Sequence, residues 1–292
     1  MNFVYYLHDE VNQNEFEQKL LWLKNRYNII SVDKLREHIY DGVPLKNSCV
    51  LSVDDGWCST YDVIYPVMKK YNVPFTIFVS PYVMEENMNF WYYTMRFCNQ
   101  DELKGIMIRR GYFAETARKY PCELLFKEIL IDEVYDVLSE YLKKHPDLYI
   151  PRGFMNTTEV VELHNSGLVE VGAHTLIHPI LKVESDERSR REIHQSVDKL
   201  SALLNNKVSC FAYPNGLENV DFGDRELTYA KQAGIDMAFS VNPGKINSQT
   251  NPLSIPRWGS ISRLKCGLFG QYLPSRENQV SLRNEIRKLA LR

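Results

Sequence analysis

The chain has 292 residues, 35 Lys and Arg against 37 Asp and Glu, six cysteines and 44% hydrophobic residues. That length holds one large domain or two ordinary ones with ample core, and the composition excludes disordered, collagenous and disulfide-framework proteins. A formal charge of −2 and a pI near 6.4 remove the electrostatic case for nucleic acid as the main ligand.

No run approaches the roughly 18 apolar residues of a membrane span. The opening Met-Asn-Phe-Val-Tyr-Tyr-Leu-His-Asp-Glu lacks the basic region and apolar run of a secretory signal. The expectation is a soluble, cytoplasmic protein, with peripheral membrane association as the variant. Cys49, Cys58, Cys98, Cys122, Cys210 and Cys266 are far apart, without zinc-knuckle or redox spacing, which fits free thiols in a reducing compartment. Nothing in the sequence sets an oligomeric state.

In chain order, Phe3 to Leu7 reads as a strand and Asn14 to Asn25 as a helix with Phe16, Leu20, Leu21 and Leu23 inward. Cys49 to Val53 and Phe75 to Val79 are β-rich runs flanking a helical Tyr61 to Tyr71. The first of these runs leads into Val53-Asp54-Asp55-Gly56-Trp57. Adjacent carboxylates at the end of an apolar strand repel where water is scarce. Strand alternation aims them differently, so a metal could bind one and leave the other as a base. Asp-Asp-Gly also makes an ordinary turn.

Residues 88 to 150 differ in being rich in Tyr and Phe, with a helical Cys122 to Lys144 ended by His145-Pro146. They read as a helical insertion in a single domain spanning 1–292. Strands are expected at Leu168 to Val171, Val208 to Tyr213 and Met237 to Val241, with a helix over Arg188 to Leu204. After the first of these strands comes Val171-Gly172-Ala173-His174-Thr175-Leu176-Ile177-His178-Pro179. Two histidines four apart share one helical face and can reach one ion, although such a pair alone is more often structural. Asp, His and His donors suit zinc, iron, cobalt or nickel better than calcium.

Cys210-Phe211-Ala212-Tyr213-Pro214-Asn215-Gly216 closes another strand, and amides on that turn could bind an oxyanion. Trp57, Tyr82, Trp91, Tyr213 and Trp258 fall near the site loops, where flat rings can stack on sugars. The tail, about 263–292, carries seven Lys or Arg against Glu277 and Glu285. It reads as a solvated helix closing the barrel, or as a basic face for an anionic surface or partner.

These blocks in this order resemble the polysaccharide deacetylase (NodB-homology) family, carbohydrate esterase family four. The likeness extends through Tyr61, Pro66, Lys69-Lys70-Tyr71 and Val73-Pro74-Phe75-Thr76-Ile77-Phe78-Val79. Thr157 to Gly167 and the His174 block follow the same pattern. The resemblance covers 1–85 and 152–260 and implies an α/β fold, a distorted (β/α)7 TIM-like barrel with a helical insertion. It implies that Asp55, His174 and His178 bind a divalent metal, zinc first with cobalt, nickel or iron as alternatives, and that Asp54 is the general base.

Two family features are missing. No arginine opens the third block, and no late Leu-x-His exists because His194 is the last histidine. Both gaps occur in the rearranged branch that includes the poly-N-acetylglucosamine deacetylases. There an early histidine, matched by His8 in Tyr6-Leu7-His8-Asp9-Glu10-Val11, supplies the acid. A late Pro-Arg, matched by Ile255-Pro256-Arg257-Trp258, supplies the arginine.

The implied activity is metal-dependent removal of an N-acetyl, or O-acetyl, group from an N-acetylated sugar, glycolipid or oligosaccharide. Asp54 would activate water at the metal, and a backbone amide near Tyr213 and Pro214 would hold the oxyanion. His8 would protonate the leaving amine while Arg257 orients Asp54. The rival readings are an allantoinase-like or cyclic-imide-like C–N hydrolase, a sugar-binding barrel without turnover, and a metal-dependent phosphoesterase. His38, His145, His164 and His194 are expected at the surface.

Overall fold

A computed structural model describes residues 1–7, 12–259 and 274–290. Its centre is a ring of parallel strands: β1 (Phe3–Leu7), β3 (Ser48–Val53), β4 (Phe75–Val79), β5 (Val169–Ala173), β6 (Cys210–Ala212), β7 (Met237–Phe239) and β8 (Arg257–Trp258). The pairing order is β7-β6-β5-β4-β3-β1-β8. A parallel bridge between Phe239 and Ile255 ties β7 to the run entering β8 and nearly closes the circle. The result is the distorted (β/α)7 barrel expected from the sequence. A short β2 (Asn28–Ile30) pairs only with the beginning of β3.

Strands of such a barrel are covered on both faces and read as continuous apolar runs. Every residue of β3 and β4 is buried. Their register sets the height of the site: Leu7 of β1 lies opposite Val53 of β3, and Val53 lies opposite Ile77 of β4. Val79 of β4 then lies opposite Ala173 of β5, so the chain leaves all four strands at the same mouth. At Gly172 a Cβ would stand 2.8 Å from the Cys210 carbonyl oxygen. Only glycine lets β5 lie this close to β6.

Outside the ring run α1 (Gln13–Lys24), α2 (Val32–Asp41), α3 (Tyr65–Lys70), α9 (Thr157–Asn165), α10 (Asp186–Leu204) and α11 (Asp224–Gln232). In α1, Phe16, Leu20 and Leu23 are buried but Leu21 is 37% exposed, so Leu21 is not inward as expected. The single helix expected over Tyr61 to Tyr71 is instead a π-turn, Thr60–Ile64, running into α3. Pro66 has no N–H for the regular ladder, which accounts for the break.

Between β4 and α9 lie α4 (Pro81–Glu85), α5 (Trp91–Arg96), α6 (Gln100–Arg109), α7 (Cys122–Phe126) and α8 (Ile131–Lys144). Leu103, Ile106, Phe113, Leu125, Val134 and Leu138 give this segment its own apolar core. The C-terminal α12 (Pro274–Arg287) joins that core through Ile286, which is fully buried. Its Arg283 is buried against Glu128 and Asp221, and Arg287 also binds Glu128. The expectation of a solvated basic tail is corrected at Arg283, whose charge is neutralised inside the protein, while Arg287 pairs with Glu128 at a part-exposed position. Among the described residues, no helix is long and apolar enough to cross a membrane.

Candidate active site

The two carboxylates that follow β3 turn apart, as strand alternation requires. The Asp54 amide donates to the Leu7 carbonyl (2.8 Å), which docks the end of β3 against β1. The Asp54 side chain, 5% exposed, accepts from Arg257 Nη1 (2.7 Å) and Nη2 (2.8 Å) in a bidentate pair. Arg257 Nε donates to the Ser240 carbonyl (2.9 Å), and Nη1 also reaches Ser52 Oγ (3.2 Å). Its guanidinium lies 4.7 Å from the Tyr6 ring centroid. The planar fork is thus fixed from several sides, a task a lysine cannot perform.

Asp55 faces the other way. Its Oδ1 lies 3.3 Å from His174 Nε2 and 3.5 Å from His178 Nε2. One donor atom from each residue falls within 4.8 Å of the other two, and all three residues are buried. Oxygen and nitrogen ligands about 2.0–2.1 Å from one tetrahedral ion stand roughly 3.3 Å apart, so this donor set fits a divalent cation.

The imidazoles are prepared for that role. His174 Nδ1 lies 2.7 Å from the Ala212 carbonyl oxygen; donation there places the proton on Nδ1 and leaves Nε2 as the atom that could bind a metal. Burial drives the pKa of His178 down to about 3 against the opposing pull of Asp55. A neutral imidazole is what a metal requires.

The histidines do not lie on a helix, contrary to the expectation from their spacing. They occupy an irregular turn after β5 in which Thr175 and His178 have φ of 63° and 62°. Asp55 has φ of 70°. Every other non-glycine described residue with positive φ is an asparagine, the type that tolerates this region. Backbone strain is therefore concentrated on the donor set, where surrounding contacts must hold it.

These groups line a cavity of about 480 Å³ at the barrel mouth. The wall includes Tyr6, Tyr213 and Asn215 from the barrel, Trp91, Tyr92 and Lys127 from the insertion, and Arg283 from α12. Asn215 Nδ2 is buried there and makes no hydrogen bond among the described residues. The rings of Phe90 and Tyr92 pack edge-on to His178 at 5.3 and 5.2 Å. Apart from Trp91, the insertion residues of this wall carry no sequence signal. Only tertiary packing brings α5 and α7 over the mouth.

The substrate-contact expectations at Trp57, Trp258, Pro214 and Tyr82 are corrected, and that at Tyr213 in part. Trp57 is 1% exposed and packs on Tyr93 and Phe154. Trp258 is 2% exposed and donates its indole N–H to the Gly244 carbonyl (2.7 Å). Neither these rings nor Pro214 line the cavity. The Tyr213 amide donates to the Phe239 carbonyl (3.2 Å), so among the turn amides expected to hold an oxyanion this one is taken by the β6–β7 ladder. The Tyr213 side chain does reach the wall, while Tyr82 does not. His38, His145, His164 and His194 lie outside the cavity, and His8 lies outside the described residues.

A family model described as polysaccharide deacetylase matches residues 41–238. A poly-beta-1,6-N-acetyl-D-glucosamine N-deacetylase from Staphylococcus aureus (strain MSSA476) is 22% identical over 277 residues, covering 88% of this chain and 72% of the relative. Among solved structures, IcaB from Ammonifex degensii superposes with a TM-score of 0.60 at 16% identity, covering 96% of this chain and 95% of that one. The Streptococcus pyogenes deacetylase PplD in complex with acetate gives 0.59 at 17% identity, covering 92% and 97%. At these identities the solved structures speak to the fold. The family match takes in Asp54, Asp55, His174 and His178 and stops short of Arg257. With more than half of its length matched, this chain belongs to the polysaccharide deacetylase family, hydrolases that remove acetyl groups from sugars.

Proposed function

We propose that the protein is a metal-dependent N-deacetylase of an N-acetylated glycan, with Asp54 as general base and Asp55, His174 and His178 as the metal ligands. The observation that carries the reading is the division of labour within the Asp54-Asp55 pair. One carboxylate is gripped by Arg257 and the other faces two imidazoles, on the wall of one cavity. Zinc is the first choice of cation, with cobalt, nickel or iron able to use the same donors.

The chemistry such a cation supplies when bound is Lewis acidity, which polarises the acetyl oxygen and lowers the pKa of water from 15.7 towards about 7. Arg257 occupies one direction on each Asp54 oxygen, and a carboxylate has about four lone-pair directions. An Asp54 oxygen can therefore still take a proton from the attacking water. Breaking the C–N bond then needs a proton at the departing nitrogen, and His8 is the proposed donor. It immediately follows Leu7, whose carbonyl accepts from the Asp54 amide.

The substrate proposed is a glucosamine polymer or oligosaccharide bearing N-acetyl groups, in keeping with the name of the Staphylococcus aureus relative. Asp54→Asn should lower acetate release by about 100- to 10,000-fold with metal content unchanged. An unimpaired Asp54→Asn enzyme would remove the assignment. Running O-acetylated and N-acetylated sugars side by side separates ester from amide hydrolysis, and binding without acetate release would favour a sugar-binding barrel.

A further inference from the structure

The turn that carries His174 and His178 holds two strained residues, and hydrogen bonds fix four of its backbone amides and two of its carbonyls. The His174 amide donates to the Val79 carbonyl (2.9 Å), and the His174 carbonyl accepts from Ser80 Oγ (2.8 Å) and Thr175 Oγ1. The His178 amide donates to Thr175 Oγ1 (3.0 Å), and its carbonyl accepts from Trp91 Nε1 (3.2 Å). Between the histidines, the consecutive amides of Leu176 and Ile177 both point at Glu192 Oε2, at 2.9 and 3.3 Å.

Glu192 is the one charged side chain in this network. It lies on α10, fourteen positions beyond His178 in sequence, and is fully buried. Its second oxygen, Oε1, accepts from Arg188 Nε (3.0 Å). A buried carboxylate is expensive unless its lone pairs are used, and here both oxygens are engaged by donors. Successive backbone N–H groups converging on an anion form a nest. In this nest the anion belongs to the protein and the backbone belongs to the turn.

We propose that Glu192 is a positioning residue for the metal centre, holding the Leu176 and Ile177 amides so that both imidazoles present Nε2 to one ion beside Asp55. The inference rests on the metal reading of that donor set and extends it to a residue whose hydrogen bonds run to the turn backbone and Arg188, not to the three ligand side chains. Gln at this position keeps the shape but loses the charge, and its NH2 group meets a donor on one side. The turn should then relax from its left-handed conformation at Thr175 and His178.

The test is cobalt titration of metal-stripped wild type and Glu192→Gln, reading affinity and the visible absorption of the bound ion, with melting temperature alongside. Outer partners of metal ligands are typically worth about 10- to 100-fold in affinity; Glu192→Gln should lose that much and show an altered spectrum. Ser189→Ala is the control, because Ser189 is buried on the same helix but donates to Glu226 (2.9 Å), away from the turn. It should lower the melting temperature and leave cobalt affinity and spectrum unchanged. Should Glu192→Gln fail to fold, Arg188→Gln keeps both amide contacts, and it should weaken cobalt binding by a smaller factor. Cobalt binding by Glu192→Gln, or by that substitute, with wild-type affinity and spectrum would overturn the proposal. So would equal losses in Ser189→Ala. Wild type that binds no cobalt would instead overturn the metal reading on which the inference depends.

Discussion

One peptide unit separates Asp54 from Asp55, yet they meet different partners. Arg257 takes both oxygens of Asp54, whereas Asp55 meets the Nε2 atoms of two histidines. Lys carries the same charge as Arg but offers no planar fork, so it cannot fix a carboxylate plane. Arg257→Lys should therefore lower kcat at least about 10-fold, a loss of bidentate geometry, while bound metal stays at the wild-type level. Steady-state kinetics with metal analysis checks this; unchanged kcat would show that Asp54 needs no such orientation. At this scale the sequence was legible where chemistry is local. The Asp pair, the His pair and Arg257 were all marked by motif; the structure brings the two pairs to one cavity and buries Arg257 against Asp54. Trp57, Trp258 and the Tyr213 amide were misplaced because nothing in a sequence shows whether a ring or an N–H is already occupied. The tertiary neighbours Phe154, Gly244 and Phe239 decided those positions.

Elements carry the next set of constraints. The strands were legible because buried parallel strands are unbroken apolar runs, and their register aligns the catalytic ends. The left-handed turn between β5 and α10 was not legible, since His-x-x-x-His has the same spacing in a helix. Nor was the burial of Arg283, which depends on Glu128 and Asp221, 155 and 62 positions away. Removing one partner of a buried ion pair costs about 3–5 kcal/mol because it strands the other charge. Arg283→Met should accordingly produce a clear fall in melting temperature, larger than that of Lys288→Met, an exposed cation just past the same helix; equal effects would contradict the burial argument.

Glu184 gives the same region a pH dependence. Burial raises its carboxyl to about 7, with Arg188 and the Ile131 amide opposing. Between its ordinary value near 4.5 and about 7 the folded state therefore holds a proton that the unfolded state has lost. Its contribution to stability is fully present below that window and is lost as pH rises through it. Thermal melts across pH 4 to 8 should show a smaller decline on the alkaline side for Glu184→Gln than for wild type. Parallel curves would contradict the assignment.

At the scale of the whole molecule, the insertion and α12 share one apolar core and bring Trp91, Tyr92, Lys127 and Arg283 over the barrel mouth. The near-zero net charge suits a neutral sugar approaching a metal better than a polyanion. The family match spans the metal donors and Asp54 but not Arg257, which arrives from the last strand. Arg257 nonetheless reaches Asp54 across 203 positions of chain. The ring geometry makes this contact physically available, because β8 lies beside β1 and β1 lies beside β3. If a metal held by Asp55, His174 and His178 works with Asp54 to hydrolyse an N-acetyl group, acetate release from an N-acetylglucosamine oligomer reads it out, by wild type and Asp54→Asn, each with bound metal quantified and then stripped. The expected result is one divalent ion per chain in both proteins, and acetate from metal-loaded wild type alone. Undiminished release by Asp54→Asn, or by stripped wild type, would contradict it.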